Sequence, residues 1–202
     1  MIFDKAVKLL LPMAIVCAAA NASIVFNFDG DSPGTSTTFT DTVNGLSATF
    51  SSSADPGGFM VYPTMFETLT GNVLGDPGPA FADNLALDVS FSQNLSAIEL
   101  DFATSDFITP SPFTVTAYEN SALVGSVSST GEFLSGFTFP EGEIAFEGGP
   151  FNQVAISSTA TDFAVDNINV APTPEPGTLT MIGAGLFLLG IGSVRRRKTA
   201  SE

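Results

Sequence analysis

Histidine and tryptophan are both absent from this 202-residue chain, and cysteine occurs once. Lysine and arginine are nearly as scarce: the six basic residues are Lys5, Lys8, Arg195, Arg196, Arg197 and Lys198, all at the two ends. Residues 23–194 therefore hold no cation at all. These gaps exclude whole classes of chemistry. Ser-His-Asp and Cys-His nucleophile systems need an imidazole, a Schiff-base enzyme needs a lysine, and a histidine-ligated zinc site has no ligand to use. A phosphate-cradling glycine loop would lack its lysine. The lone Cys17 sits in an N-terminal apolar run after Val16, not after the small residue a lipoprotein site requires. Once that run is removed, disulfides, thiol nucleophiles and thiolate metal sites are excluded as well.

What fills the middle is acid. All but Asp4 and Glu202 of the 21 acidic residues lie in residues 23–194, so no internal ion pair can form there. Such a surface repels phosphate backbones and anionic lipid, which excludes nucleic acid as a partner, and it attracts cations. Its simplest use is a solvated acidic coat that keeps an exported protein soluble. With 44% hydrophobic and 13% charged residues the chain suits a packed core; a disordered chain would be apolar-poor and charge-rich.

The N-terminus, MIFDKAVKLLLPMAIVCAAANAS, places Lys5 and Lys8 before a short apolar run and ends in Ala20-Asn21-Ala22 ahead of Ser23. This is the layout of a secretory signal peptide over residues 1–22, with Ala20, Ala22 and Ser23 framing the cut. The run falls short of the ~20 apolar residues that span a bilayer.

Residues 23–171 read as an all-β domain. Ile24, Phe26 and Phe28 alternate with polar positions, as do Leu85, Leu87, Val89 and Phe91, then Ile98, Leu100 and Phe102, and then Phe113, Val115 and Ala117. A period of two puts each set on one face of a half-buried strand. Turn clusters separate the runs: Asp29-Gly30-Asp31-Ser32-Pro33-Gly34, Asp55-Pro56-Gly57-Gly58, Gly75-Asp76-Pro77-Gly78-Pro79 and Gly148-Gly149-Pro150. Glu119-Asn120-Ser121-Ala122 should turn a hairpin between FTVTAY and LVGSVSS. About nine or ten short strands at regular spacing predict a jelly-roll-like β-sandwich with a phenylalanine-rich core.

Residues 172–178 form a proline-rich linker whose missing N–H donors should keep it out of the sheet. Residues 179–194 carry no charge. As a helix they would measure about 24 Å, near the ~30 Å hydrocarbon core. Arg195, Arg196, Arg197 and Lys198 follow in the basic tail, residues 195–202, and basic residues stay cytoplasmic, which leaves the body outside.

The tail PEPGTLTMIGAGLFLLGIGSVRRRK resembles the PEP-CTERM sorting signal of Gram-negative bacteria. Pro174-Glu175-Pro176 and Gly177, the glycine-containing apolar segment, and the cluster Arg195, Arg196, Arg197 occur in that signal's order. The resemblance implies recognition by an exosortase, cutting near the tripeptide, and release to or attachment at the cell surface, often in species that make exopolysaccharide and biofilm matrix. The last body segment, FAVDNINVAP, and the first, IVFNFDG, loosely resemble the terminal strands of sandwich regions in that family.

Two candidate sites remain. Calcium takes six to eight oxygens, and Asp29 and Asp31 after the first strand could converge with Asp166 and Asn167 in the last if those strands are neighbours. The apolar phase slips from Phe163 and Val165 to Ile168 and Val170, which predicts a bulge at Asp166-Asn167. The plainer reading is an edge bulge with Asp166 hydrogen-bonded to an adjacent turn. Paired carboxylates of the glycosidase kind are offered by Glu99 with Asp101 and by Glu141 with Glu143, though alternating acids on a strand usually mark its wet face.

The sequence is thus read as an exported, non-enzymatic cell-surface or matrix protein, adhesive or carbohydrate-binding. Its expected partners are the export machinery, an exosortase, the inner membrane and exopolysaccharide. Structural calcium is its one candidate cofactor. The alternative is a secreted carboxylate-dependent enzyme acting on polysaccharide.

Overall fold

The computed structural model describes residues 23–76 and 85–173. The expected signal peptide with Ala20 and Ala22, the tripeptide Pro174-Glu175-Pro176 with Gly177, the apolar segment 179–194 and Arg195, Arg196 and Arg197 lie outside the described residues.

Among the described residues, eleven strands form one hydrogen-bonded network. They are β1 (Ile24–Phe26), β2 (Phe39–Val43), β3 (Leu46–Ser51), β4 (Met60–Pro63), β5 (Asn72–Gly75), β6 (Ala86–Thr104), β7 (Pro112–Glu119), β8 (Ala122–Thr130), β9 (Glu132–Phe133), β10 (Pro140–Ser158) and β11 (Phe163–Pro172). Two of them, β6 and β10, run 19 residues each and pair with each other along most of their length. The first half of β6 pairs with β3 and with the second half of β10, which continues to β7 and β8. The second half of β6 pairs with β11 and with the first half of β10, and β11 carries β5 and β1 on its other side. The long strands thus pass from one layer into the other and tie the layers together.

This corrects the count of short, evenly spaced strands. The runs Leu87–Phe91 and Ile98–Phe102 belong to one strand whose inward phase changes from odd to even near Leu95. The Gly148-Gly149-Pro150 cluster does not reverse the chain. It lies within β10 and breaks the register between Glu147 and Phe151, which gives the long ribbon its bend.

The inner faces meet in a phenylalanine core. Phe26, Phe28, Phe50, Phe59, Phe102, Phe113 and Phe151 are fully buried. Phe102 of β6 stacks on Phe113 of β7 with ring centroids 4.1 Å apart and planes 7° off parallel, and Phe163 of β11 meets Phe113 edge-on at 5.4 Å. Phe50 of β3 closes the other end against Phe26 and Phe28. Full burial of a side chain of this size stabilises by roughly 1.5–3 kcal/mol, so a body without disulfides or ion pairs rests on this core.

The β7–β8 hairpin turns at Asn120 and Ser121, both at positive φ (50° and 70°), as a two-residue loop of the I′ kind requires. The terminal strands are neighbours: β1 pairs antiparallel with β11, Ile24 opposite Val170, and the Ser23 hydroxyl donates to Asn169 Oδ1. The linker does join the sheet at its start, against expectation. Pro172 pairs with Leu95, and Thr173 donates its N–H to the Asn94 carbonyl at 2.8 Å. Proline lacks only the donor, so a register shift after Ala171 suffices to accommodate it.

Candidate functional site

The site lies on the outer face of the layer that contains β11. Alternation along β6 and β11 turns Phe102, Phe163 and Val165 inward and Ala103, Ala164, Asp101 and Asp166 outward. Over the two small alanines lies the connection between β4 and β5, residues 64–71. Leu69, fully buried, inserts from it into a second small core with Val73, Ala103 and Ala164, flanked by Tyr62 and Phe66.

This connection has no strand partner, so its backbone donors need other acceptors. Three carboxylates supply them. Glu141 on β10 accepts from the Glu67 amide (2.9 Å), the Thr68 amide (2.7 Å) and the Thr68 hydroxyl (2.7 Å). Asp166 accepts from the Thr70 amide at 3.1 Å and Asp29 from the Asn72 amide at 2.9 Å. Gly71 sits between them at φ +69°, where a Cβ would stand 1.7 Å from the Asp29 carboxylate. In a region without cations, backbone N–H groups do the work that lysine or arginine would do elsewhere.

The four calcium candidates are therefore only partly brought together. The bulge at Asp166-Asn167 is present: the register with β6 breaks between Asp166 and Asn169, and Asn167 lies at φ 50°. Asp29 and Asp166 converge on residues 70–72. Asn167 turns its amide to Asp101 at 2.9 Å, and Asp166 accepts the Asn167 N–H. Asp31 meets this region through its backbone, its carbonyl accepting from Asn72 Nδ2 at 3.1 Å, and its carboxyl is raised above the ordinary value by burial and by the charge of Asp41. Among the described residues no group of three or more acidic side chains is placed to hold a metal ion.

Both candidate catalytic pairs lie along the paired strands β6 and β10. Glu99 and Asp101 share the outer face of β6 as expected, and Glu143 lies across from Asp101. A hydrogen bond that protonated Glu143 donates to Glu99, and then the charge of Glu99, raise the Glu143 pKa. Burial, and more weakly Glu143, raise that of Asp101, against the lowering effect of Asn167. Asp166, opposite Asp101 on β11, is pushed up to about 6, mainly by burial, against the lowering bonds from Asn167 and Thr70 and with Asp29 and Asp101 adding to the rise. Glu141 is buried under the 64–71 connection and spent on it.

Next to that connection opens a cavity of about 390 Å³, which sequence reasoning missed. Tyr62, Met65, Phe66, Ala103, Phe139 and Phe163 give it apolar walls, and Asp76 and Asp162 give it charge. Phe139 bridges the rim, 5.9 Å from Phe66 and 5.3 Å from Phe107. Phe107 and Ile108 stand 70% and 90% exposed. They are presented by a loop that Asp106 ties down, accepting from the Thr104 hydroxyl, the Ser111 amide and the Ser111 hydroxyl, each at 2.8 Å. Burial, then Asp76 and Asp162, push the Tyr62 phenol far up. The one trace of the cavity in the sequence is the stretches TMFETL and SDFITP, where apolar residues appear outside any strand alternation.

From the final residue of the last strand onward, the family model described as the PEP-CTERM protein-sorting motif matches residues 172–198. The chain carries a PEP-CTERM sorting motif. Its first residues, Pro172 and Thr173, are those pinned to β6, so the motif begins inside the folded edge of the body. No curated protein matches the chain. Among solved structures, the chain is similar to the K2 cleaved adhesin domain of Lys-gingipain (12% identity, TM-score 0.51), covering 75% of this chain and 99% of that one. It is also similar to the K1 cleaved adhesin domain of Lys-gingipain from Porphyromonas gingivalis W83 (8% identity, TM-score 0.50), again over 75% and 99%. At these identities the likeness speaks for a β-sandwich fold alone.

Proposed function

We propose that this chain is an exported, non-enzymatic surface protein whose jelly-roll-like sandwich binds a partner, and that its tail is processed by an exosortase. The observation that carries the reading is the sorting motif at residues 172–198, joined without a break to the last strand. A motif of this kind implies an exosortase as processing partner and an exported, membrane-anchored precursor. The signal peptide over residues 1–22, the spanning segment 179–194 and exopolysaccharide as the surrounding matrix belong to the proposal. The adhesin domains of similar fold support a binding role by analogy of architecture; fold alone does not assign function.

Binding is favoured over catalysis by where the carboxylates are. Glu99, Asp101 and Glu143 lie on an outer sheet face, while a glycosidase sets two carboxyls across a scissile bond. The cavity beside residues 64–71, with its aromatic rim, is the natural contact surface.

Mass spectrometry of protein recovered from the cell surface and medium tests the reading. Expected are an N-terminus at Ser23 and a C-terminus within residues 173–177. Full-length chain in the cytosol, with Met1 and Glu202 intact, would overturn it.

A further inference from the structure

Resting on the surface-module reading, we propose that the outer face of the other layer holds a second site, which binds a neutral linear polysaccharide at a recess around Gln153. The recess measures about 380 Å³, within the roughly 300–1,000 Å³ of small-molecule sites. It follows from the strand pairing. Gln153 of β10 stands opposite Ser90 of β6 on one side and Tyr118 of β7 on the other. Farther along β10, Ala155 stands between Asp88 and Thr116. Neighbouring strands lie about 4.8 Å apart, so the methyl side chain of Ala155 leaves a hollow among longer neighbours. The β7–β8 hairpin tip is tied beside it. Asn152 accepts the Asn120 N–H at 3.0 Å and donates its amide to Asn120 Oδ1 at 3.1 Å, and Ser121 joins the wall.

The chemistry of the wall selects the ligand. Asp88 offers acceptors, the Gln153 amide offers both donors and an acceptor, and the hydroxyls of Ser90, Tyr118 and Ser121 can do either. Among the described residues, none of these five side chains is hydrogen-bonded to another group. Donors and acceptors thus stand side by side, open to a ligand. A sugar hydroxyl is donor and acceptor at once and uses both. The Tyr118 ring gives the apolar C–H face of a sugar a surface to lie on. A cation would engage Asp88 and leave the donors of Gln153 and the hydroxyls idle. An anion would meet the Asp88 carboxylate in a body that has no basic residue to offset it.

The surroundings extend the site beyond a single sugar. Thr49 and Ser51 of β3 stand opposite Ser90 and Asp88. On the other side the hydroxyl pairs Thr116–Ser126 and Thr114–Ser128 continue the rows at 3.2 and 2.8 Å. Along these rows Asp88 is the one charged residue, whereas the outer face of the layer that contains β11 carries Glu99, Asp101, Glu143 and Asp166. A hydroxyl surface on both sides of the recess suits a chain of sugar residues, and its near lack of charge avoids the desolvation of ions when the chain settles.

The test uses the two tyrosines of the chain, Tyr62 in the cavity beside residues 64–71 and Tyr118 in the recess, as reporters of the two sites. The full chain, with ring-¹³C-labelled tyrosine, is studied by NMR in a polyoxyethylene detergent, which has no sugar headgroup; Tyr118→Phe assigns the two signals. The probes are cellotetraose, mannotetraose and xylotetraose as neutral chains, tetragalacturonate as an anionic chain, and triglycine amide as a peptide. Expected are a saturable shift of the Tyr118 signal with at least one neutral chain, a still Tyr62 signal, and at least ten-fold weaker binding of tetragalacturonate and of triglycine amide. Asp88→Asn and Gln153→Ala should each weaken sugar binding about ten-fold, with the melting transition unchanged. No Tyr118 response to any of the three neutral chains, equal binding of tetragalacturonate, or unaltered affinity in both variants would overturn the proposal. A shift of Tyr62 alone would overturn it by moving the sugar to the other cavity, and equal binding of triglycine amide by making the recess a peptide site. The surface-module reading fails separately, through the intact cytosolic chain.

Discussion

The buried carboxylate of Glu141 accepts both the backbone amide and the hydroxyl of Thr68, each at 2.7 Å, and so fastens an unpaired connection to the face of a sheet. Glu141→Gln keeps the size but replaces one acceptor oxygen by a donor that faces donors. The expected loss is about 1–3 kcal/mol, the usual range for a buried group left unsatisfied. Faster hydrogen exchange confined to the amides of Glu67 and Thr68 would identify the cause; unchanged protection there would refute the anchoring role.

Stability should rise on mild acidification. The pKa values of Asp31, Asp101, Glu143 and Asp166 are all displaced upward in the fold. The folded chain thus holds these protons more tightly than the unfolded chain. Their stabilising contribution is complete below the unfolded carboxylate value and is lost as pH rises through the folded one, about 6 for Asp166. Melting followed by circular dichroism should show a higher midpoint at pH 5 than at pH 7.5, and Asp166→Asn should flatten that slope. A midpoint that falls over this interval contradicts the assignment.

The calcium proposal becomes a direct measurement. Asp166 and Asp29 are engaged by amides of residues 70–72, and the Asp31 carbonyl accepts from the Asn72 side chain. Use of these groups as loop anchors leads to an unchanged melting midpoint when millimolar calcium is added. A rise that disappears in Asp166→Asn would instead establish a structural ion at the bulge.

The stacked pair Phe102 and Phe113 joins the two layers at 4.1 Å. Phe102→Ala should cost about 3–5 kcal/mol through lost burial and the cavity left behind, read as a lower denaturant midpoint.

The β7–β8 turn offers a gain. Ser121 at φ 70° bears the left-handed strain that glycine escapes. Ser121→Gly should stabilise by about 1 kcal/mol, visible as a higher melting temperature.

The β character, the Asn120-Ser121 hairpin and the bulge at Asp166 were legible because each leaves a local mark: alternation, a turn pair, or a phase slip. The joining of two apparent strands into β6 was not, since Gln93 and Asn94 look like loop and fall in the register break with β10 between Ser90 and Leu95. Glu141 read as one of a surface pair because its partners are amides some 70 residues away in sequence. The cavity depends on five separate segments meeting, and no spacing in a single segment records that.

The seam between β1 and β11 has one more outcome. Ser23 and Thr173, the residues that border the two expected cuts, lie at the same end of the body, while Phe163 and the cavity lie at the other, roughly 30 Å away along a ten-residue strand. Leader and tail would therefore moor the newly exported domain by a single pole, and the aromatic opening would point outward from the lipid before either tether is severed.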